Sequence, residues 1–206
     1  MFAARILFGI DLEINILKRW FIIIIPILVL IDQAIKIIVS KFFYDPHIHF
    51  PIIDGVFAFN PKQNIHLGWI WNMFDFMMPL YLAVLLSIVG IIIIIILYRY
   101  FAFLASNWDK YKKLPDIALI FLLSGAFCKL IDDIFWGGSL DYIQLFDWFI
   151  FDLKDVYITC IGVPVLIICE AISHHHYYKM SKEERREYKR KTQFFKHLKS
   201  GLPVRQ

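Results

Sequence analysis

A run of 22 residues without a charged side chain, MMPLYLAVLLSIVGIIIIIILY, occupies Met77–Tyr98. About 20 apolar residues in a helix cross the hydrocarbon layer of a bilayer, which is roughly 30 Å thick. Three further apolar runs lie at about Trp20–Val39, Asp116–Phe135 and Phe151–Ser173. Because backbone groups in lipid must form hydrogen bonds within their own segment, the sequence predicts an all-α membrane protein with four transmembrane helices.

The composition agrees with this fold class. The chain has 206 residues, of which 59% are hydrophobic and 19% charged. These values exclude a disordered chain and lie outside the average soluble domain. Three cysteines (Cys128, Cys160 and Cys169) fall inside apolar stretches. Their odd number and the absence of a C-x-x-C spacing argue against a disulfide framework or a zinc site.

The formal charge of +4 is distributed unevenly. The tail His174–Gln206 carries ten Lys or Arg and three Glu. Basic residues also precede the first helix and connect the second to the third, whereas the connections Lys41–Phe76 and Trp136–Ile150 contain few. Since Lys and Arg near helix ends favour the cytoplasm, we expect an N-in, C-in topology. The excess positive charge of the tail, next to a membrane segment, indicates binding to anionic lipid headgroups rather than to nucleic acid.

The predicted domain organisation follows from these segments. Residues 1–19 form a cytoplasmic N-terminal segment, residues 20–173 the four-helix domain, and residues 174–206 a basic cytoplasmic tail. The outer loop 41–76 between the first two helices is long. Its stretch Ile52–Trp71 is rich in aromatic residues and turn signals, so we predict a small β-rich element there.

Ionisable residues inside membrane helices mark functional sites by default, because their burial in lipid costs several kcal/mol. Asp132 lies about one turn before the outer end of the third helix, and Asp155 about one turn after the outer start of the fourth. On antiparallel helices, the two carboxylates reach the same depth. Asp32 and Lys36 share one face of the first helix at i, i+4 spacing, which allows a salt bridge.

Two carboxyls in one site share a proton, and this pattern is suited to hydrolysis of an amide. The ionised acid removes a proton from water, and the protonated acid polarises the scissile carbonyl. The alternatives are a polar cluster that tightens the bundle, or acids that face interfacial water. Asp132 and Asp155 with His66 could be imagined as metal ligands, but a single His in a loop makes a poor site. We therefore predict no metal and no cofactor.

Five segments, in order and in register between about Trp20 and Ala171, resemble motifs of lipoprotein signal peptidase (signal peptidase II), the membrane aspartyl protease family of bacteria. The resembling segments, with the family motif after each, are DQAIK at Asp32–Lys36 (D-Q-x-x-K), NIHLGW at Asn64–Trp69 (N-x-G-A-A-F), SGAFCKLIDD at Ser124–Asp133 (G-G-A-L-G-N-L-I-D-R), GGSLDYI at Gly137–Ile143 (G-x-V-V-D-F-I) and FDLKD at Phe151–Asp155 (F-N-x-A-D).

The resemblance implies a catalytic dyad of Asp132 and Asp155 that cleaves signal peptides just before a diacylglyceryl-modified cysteine of a prolipoprotein. It places the enzyme in the bacterial cytoplasmic membrane with its active site near the outer face. The implied partners are prolipoprotein signal peptides and membrane lipids, with no nucleic acid, and we expect a monomer. The residues implied to support the site or the substrate are Asp32, Lys36, Asn64, Lys129, Asp141 and Asp152.

Several positions depart from the family motifs. Lys129 and Asp152 stand where the motifs have Asn, Asp133 stands for Arg, and Lys154 stands for Ala. One hypothesis is that a pair of asparagines has become a Lys129–Asp152 ion pair across the helices. Lys129 would then favour the ionised form of Asp132, and Asp152 the protonated form of Asp155. The other interpretation is a divergent member with an altered substrate or without activity.

Two other function classes use the same residues. A non-catalytic protein could bind lipoproteins or transmembrane helices through the same groove. A proton or ion conductor could use Asp32, Asp132 and Asp155, but conduction needs polar groups through the full membrane depth. We expect the second helix to offer none, which disfavours the conductor.

Overall fold

A computed structural model describes residues 16–43, 48–65, 74, 77–105, 111–146 and 148–191. Four of its helices are long and apolar enough to cross a membrane, as the sequence predicts. They are α1 (Ile16–Ile38), α2 (Leu80–Ala105), α3 (Leu114–Ile131) and α4 (Leu153–Lys179). α4 continues six residues beyond the predicted end at Ser173. A short charged helix, α5 (Lys182–Lys191), follows it.

The outer connections form one antiparallel sheet of four strands in the order β1-β2-β3-β4. The strands are β1 (Phe50–Ile53), β2 (Phe57–Asn64), β3 (Ser139–Leu145) and β4 (Phe149–Phe151). The first two confirm the predicted β-rich element, whose residues 66–71 lie outside the described residues. The last two were not predicted. They show that the connections α1–α2 and α3–α4 lie at the same end of the bundle.

The register of the sheet carries polar residues to the ends of the helices. β2 pairs with β3 so that Asn64 lies opposite Ser139 and Lys62 opposite Asp141. β3 starts three residues after Trp136, where the helical turn that continues α3 ends. β4 ends two residues before the start of α4. The sheet therefore joins the ends of α3 and α4 and holds its polar residues against them.

Wide, π-helical turns interrupt the helices at this end. α1 continues as such a turn through Val39–Phe43, α3 through Asp132–Trp136, and α4 contains one at Val156–Gly162. Turns of this kind occur frequently at functional sites, because the extra residue redirects side chains. Here one turn begins at Asp132 and another directly follows Asp155, the two acids that the sequence singles out.

α3 is the central helix of the bundle. In the most apolar 18-residue stretch of α3, 44% of the residues are buried, whereas the corresponding stretches of α2 and α4 are 6% and 22% buried. α3 and α4 approach closely at two glycines. A Cβ on Gly125 would overlap the side chain of Ile158, and a Cβ on Gly162 would lie 2.6 Å from Leu122 Cγ. The two glycines therefore set the distance between the helices that carry Asp132 and Asp155.

Candidate active site

Lys36 joins three carboxylates from three helices. Its Nζ lies 2.8 Å from Asp32 Oδ2, 2.6 Å from Asp132 Oδ2 and 2.7 Å from Asp152 Oδ2. All four side chains are fully buried. The Asp32–Lys36 salt bridge predicted from the i, i+4 spacing is confirmed. A buried ammonium is stable only where carboxylates compensate its charge, so Lys36 ties the start of α4 to α1 and α3.

Asp132 occupies the boundary between α3 and its terminal π-helical turn. Gln33 Nε2 donates to Asp132 Oδ1 at 3.1 Å, and Gln33 Oε1 accepts from Trp136 Nε1 at 3.0 Å. Ser139 Oγ lies 3.3 Å from Asp132 Oδ2. With Lys36, these donors reach both oxygens of the carboxylate, and they hold it in one orientation.

Asp155 is held by a capping box at the start of α4. The backbone N–H of Asp155 donates to Asp152 Oδ1 at 3.3 Å, and the backbone N–H of Asp152 donates to Asp155 Oδ2 at 3.4 Å. A capping box satisfies two N–H groups that a helix start would otherwise leave unpaired. The Asp155 side chain keeps 37% of its surface exposed, whereas Asp152 is fully buried. Asp155 is thus the accessible acid and Asp152 its buried support.

The ammonium of Lys154 lies between the two acids that the sequence predicts as catalytic. Its distance is 3.3 Å to Asp132 Oδ2 and 3.9 Å to Asp155 Oδ2. Its backbone N–H donates to Asp32 Oδ1 at 3.1 Å. The other contacts of Nζ are an ion pair with Asp152, a hydrogen bond of 2.5 Å to Ser139 Oγ and an approach of 3.9 Å to Asp141 Oδ1.

A cavity of about 410 Å³ opens beside this cluster. Lys154, Asp155 and Lys129 contribute polar side chains from the helices, and Asn64, Ser139 and Asp141 contribute them from the sheet. The remaining wall is largely apolar. Among the described residues, Asp132 is not in this wall but lies behind Lys154. A larger groove of about 680 Å³ runs between α1 and the first two strands, but none of the clustered acids faces it.

Two oxygen acceptors at the cavity have no hydrogen-bond donor among the described residues, namely Asn64 Oδ1 and Asp141 Oδ1. Asn64 Nδ2 donates to the other oxygen of Asp141 at 3.4 Å. Buried acceptors without a donor are rare in folded proteins. Both atoms are buried, and both residues belong to the cavity wall.

The pKa values of two acids outside the membrane helices, Asp141 and Asp152, are shifted in opposite directions. Burial raises the pKa of Asp141 to about 6, and the nearby Lys154 only partly offsets this effect. Burial acts on Asp152 in the same sense, but the ammonium groups of Lys154 and Lys36 outweigh it and hold the pKa of Asp152 below its ordinary value. Asp152 is therefore a permanent anion that fixes both lysines.

The cluster contains more acids than bases. Five carboxylates, those of residues 32, 132, 141, 152 and 155, surround the ammonium groups of Lys36 and Lys154. An uncompensated charge is costly in such a setting, which favours a proton on part of the cluster. Oxygens of Asp141, Asp152 and Asp155 lie within 4.8 Å of one another, a spacing that could suit a metal ion. Lys154 already supplies positive charge to all three.

The predicted Lys129–Asp152 ion pair is wrong. Lys129 pairs with Asp133, one turn further along α3, and Ser87 Oγ of α2 donates to Asp133 Oδ2 at 2.9 Å. Asp152 instead pairs with Lys36 and Lys154. The reason is spacing, since i, i+4 residues on one helix meet directly. Ser87 also corrects the expectation that the second helix offers no polar group.

Three residues of the cluster were not among the predicted site residues. Gln33 binds Asp132, Ser139 binds Asp152 at 2.9 Å, and Lys154 bridges the acids. Two signals in the sequence could have found part of this arrangement. Asp152 and Asp155 have the spacing of a capping box, and Gln33 lies inside the DQAIK segment. The sheet that brings Ser139 to the helices has no comparable local signal.

Comparisons with known proteins agree on one family. The family model described as Signal peptidase (SPase) II matches residues 23–172. The lipoprotein signal peptidase of Fusobacterium nucleatum is 34% identical over 160 residues, which are 74% of this chain and 86% of that protein. The lipoprotein signal peptidase of Microcystis aeruginosa is 30% identical over 163 residues, which are 73% of this chain and 91% of that protein.

The fold has a relative among solved structures. A bacterial membrane enzyme solved by the in meso method at 2.3 Å resolution superposes with a TM-score of 0.60 and 22% sequence identity. The match covers 79% of this chain and 92% of that one. This likeness supports the fold of four helices and a small sheet. The family model and the relatives that share most of its length show that this multi-pass membrane protein belongs to the signal peptidase II family of signal-peptide-cleaving proteases.

Proposed function

We propose that the chain is an aspartic endopeptidase that removes signal peptides from diacylglyceryl-modified prolipoproteins. The observation that carries the proposal is the meeting of Asp132 and Asp155 around Lys154 Nζ, at distances of 3.3 and 3.9 Å, beside a cavity. The two acids come from antiparallel helices and from segments that resemble the family motifs. The relatives named lipoprotein signal peptidase supply the substrate class.

The proposed chemistry is direct attack of water on the scissile amide. Asp155 is accessible from the cavity, so it takes a proton from the attacking water. Asp132 completes the dyad from the buried side, where Lys36 and Gln33 fix its orientation. General acid–base catalysis of this kind contributes typically 10²–10⁴-fold to a rate. Ser139 does not enter this mechanism as a nucleophile.

The cavity supports binding of an extended peptide. Asn64 and Asp141 line the cavity, and their Oδ1 atoms are buried acceptors without a donor among the described residues. We propose that they accept hydrogen bonds from substrate N–H groups. Asp32, Lys36 and Asp152 support the acids from behind. Lys129 lines the cavity from α3 and keeps Asp133 neutralised.

The proposed location is the cytoplasmic membrane of a bacterium, with the cavity near the outer face. The cluster lies at the end of the bundle that carries the sheet, and the connections at that end contain few Lys or Arg. The described basic residues between α2 and α3 and in α5 lie at the other end, and basic segments favour the cytoplasm.

The test is cleavage of a precursor peptide by the purified protein in detergent. The substrate carries a signal sequence followed by a diacylglyceryl-modified cysteine, and the control is the same peptide without the lipid. We expect cleavage of the lipidated peptide at the bond before the cysteine, detected by the mass of both products. Cleavage of both peptides at equal rates would contradict the proposed substrate class. Tight binding of the lipidated peptide without cleavage would favour a non-catalytic binding protein.

A further inference from the structure

We propose that the substrate binds as an added strand at the free edge of β4, where Ile150 exchanges two backbone hydrogen bonds with it. The segment of the precursor beside the scissile bond then runs along β4 towards Asp155. This inference rests on the proposed function and adds to it the way in which the extended peptide is held.

β4 forms one edge of the sheet and borders the cavity. It is the last strand in the sheet order and pairs with β3 alone. Its three residues, Phe149–Phe151, all line the cavity that Asp155 also lines. Neighbouring residues of a strand point their side chains to opposite faces of the sheet. A cavity that contacts three consecutive residues therefore meets the strand at its edge, where the backbone polar groups lie.

The hydrogen bonds of β3 determine which backbone groups of β4 face this edge. The N–H of Phe146, directly after β3, donates to the carbonyl oxygen of Val56, directly before β2, at 2.7 Å. Because the polar groups of an extended strand alternate between its two sides, those of Leu145 face β4, where Leu145 pairs with Phe149. Ile150, the next residue of β4, therefore directs its N–H and C=O away from β3.

The residue after β4 gives the same direction. Asp152 is extended (φ −122°, ψ −174°), and its N–H donates to Asp155 Oδ2 at 3.4 Å instead of to β3. Ile150 lies two residues earlier, so its N–H points to the same side. No described residue forms a hydrogen bond with the N–H or C=O of Ile150. Backbone polar groups away from water normally have a partner, and an added strand supplies one for both groups.

The two edges of the sheet differ in their protection against pairing. β1, at the other edge, contains Pro51, and its register shifts between Pro51 and Ile53. Proline and bulges keep an edge strand from pairing with another chain. β4 has no proline, no charged residue and no shift of register. The unprotected edge is therefore the one beside the candidate active site.

The position of Asp155 fits a strand at this edge. Its carboxylate lies 3.4 Å from the backbone nitrogen of Asp152, which directly follows β4. Neighbouring strands lie about 4.7–4.9 Å apart, so a peptide that pairs with Ile150 passes beside this carboxylate about two residues further on. Strand addition holds a peptide by its main chain, and it presents the scissile bond to the acids without depending on one particular side chain.

The test compares Ile150→Pro with Ile150→Ala on the lipidated precursor. Both variants remove the isoleucine side chain, but only proline removes the N–H, and its ring occupies the space of an added strand. We expect the KM of Ile150→Pro to be at least about tenfold above that of Ile150→Ala, with the two kcat values within about threefold, because hydrogen bonds of substrate binding are lost. Equal KM values would overturn the inference and leave the proposed function intact.

The melting temperature separates this effect from damage to the sheet. Phe151→Pro is the matched variant, since the N–H of Phe151 faces β3 and a proline there removes a hydrogen bond of the ladder. We expect Ile150→Pro to melt close to Ile150→Ala, and Phe151→Pro to melt at a lower temperature. Equal losses in the two proline variants would show that the N–H of Ile150 already has a partner in the folded protein or in a second copy, and would overturn the inference.

A second measurement changes the substrate instead of the protein. Precursors that carry one N-methyl group, placed in turn on each of the three residues on either side of the scissile bond, lose one donor at a time. We expect one position to raise the KM of wild type by about three- to tenfold. The same position should change the KM of Ile150→Pro much less, because the added strand is already lost in that variant.

Equal factors in the two proteins at every position would show that no substrate N–H pairs with β4, and would overturn the inference. A wild type that cleaves no precursor would overturn both this inference and the proposed function.

Discussion

Lys36 and Lys154 hold the acidic cluster together at the residue scale. Lys36 contacts carboxylates of α1, α3 and the start of α4, each within 2.8 Å. Lys154 contacts the acids from the cavity side. A buried carboxylate that loses its partner costs several kcal/mol, since it can recover neither water nor another cation. The two lysines are therefore as important to the site as the acids themselves.

Replacing Lys36 with Met tests this role. The variant leaves three buried carboxylates short of one positive charge, so we expect the free energy of unfolding to fall by about 3–5 kcal/mol. Denaturant unfolding of the detergent-solubilised protein measures the change. Lys62→Met, which removes an exposed lysine from β2, is the matched control. Equal stabilities of the two variants would contradict the role assigned to Lys36.

Asp141 predicts a pH dependence of stability. Burial raises its pKa from 3.8 to about 6, so the folded protein binds more protons than the unfolded chain between these values. The free energy of unfolding should therefore fall as the pH rises from about 4 to about 6, by at most about 3 kcal/mol. Asp152 contributes little in this window, because its pKa is lowered and it is ionised throughout.

The measurement is the difference in unfolding free energy between wild type and Asp141→Asn at pH 4.5 and at pH 7. We expect the variant to gain stability relative to wild type at the higher pH, because it removes the cost of a buried anion. A constant difference between the two proteins at both pH values would show that Asp141 does not titrate in this range.

Residue patterns predicted individual pairs only where the partners share one helix. The Asp32–Lys36 bridge follows from i, i+4 spacing and is confirmed. The Lys129–Asp152 pair needed knowledge of how two helices are rotated against each other, and it is wrong. Contacts between elements depend on packing angles that a local spacing does not contain.

Two features set the geometry at the element scale, the close approach of α3 to α4 and the sheet that joins their ends. The four helices were predictable because a bilayer imposes their length and apolar character. The strands β3 and β4 were not predicted, since β4 has only three residues and both strands exist by pairing, β3 with β2 and β4 with β3. The sheet nevertheless brings Ser139 and Asp141 to the acids.

Gly125→Ala tests the helix approach. The added methyl group would collide with Ile158 and approach Lys154 O within 3.1 Å, so α4 must move away from α3. Overpacking of this kind typically costs about 1–3 kcal/mol. We expect a lower melting temperature and a loss of cleavage larger than that loss of stability explains, because the dyad spans the two helices.

Gly90→Ala is the matched control within the membrane. A Cβ on Gly90 of α2 would meet no atom within 4 Å. We therefore expect this variant to melt at or above the wild-type temperature and to cleave normally. Equal effects of the two substitutions would contradict the role of the α3–α4 contact.

At the scale of the whole molecule, the distribution of charge predicts the orientation in the membrane. The net charge of +4 combines a strongly basic tail with a chain that is otherwise slightly acidic. α5, in the tail, starts with a capping box in which Glu184 N donates to Ser181 Oγ at 3.2 Å and Glu184 Oε2 accepts from Ser181 N at 2.7 Å. The acids cluster at the opposite end, beside the sheet.

Reporter fusions test the predicted N-in, C-in orientation. We expect a fluorescent protein fused after Gln206 to fluoresce, and alkaline phosphatase at the same position to be inactive, because both report a cytoplasmic terminus. Phosphatase inserted in the turn at Gly55, between β1 and β2, should be active. An active phosphatase at the C-terminus would contradict the orientation, and with it the placement of the cavity at the outer face.

The measurement that tests the account most directly is the cleavage rate of the lipidated precursor by Asp132→Asn and Asp155→Asn. Both variants should fold and bind the peptide, but each should cleave it at least about 100-fold more slowly than wild type, because each loses a member of the dyad. Asp54→Asn, which changes an exposed acid of the β1–β2 turn, should cleave at the wild-type rate. Cleavage at the wild-type rate by either dyad variant would contradict the proposed mechanism.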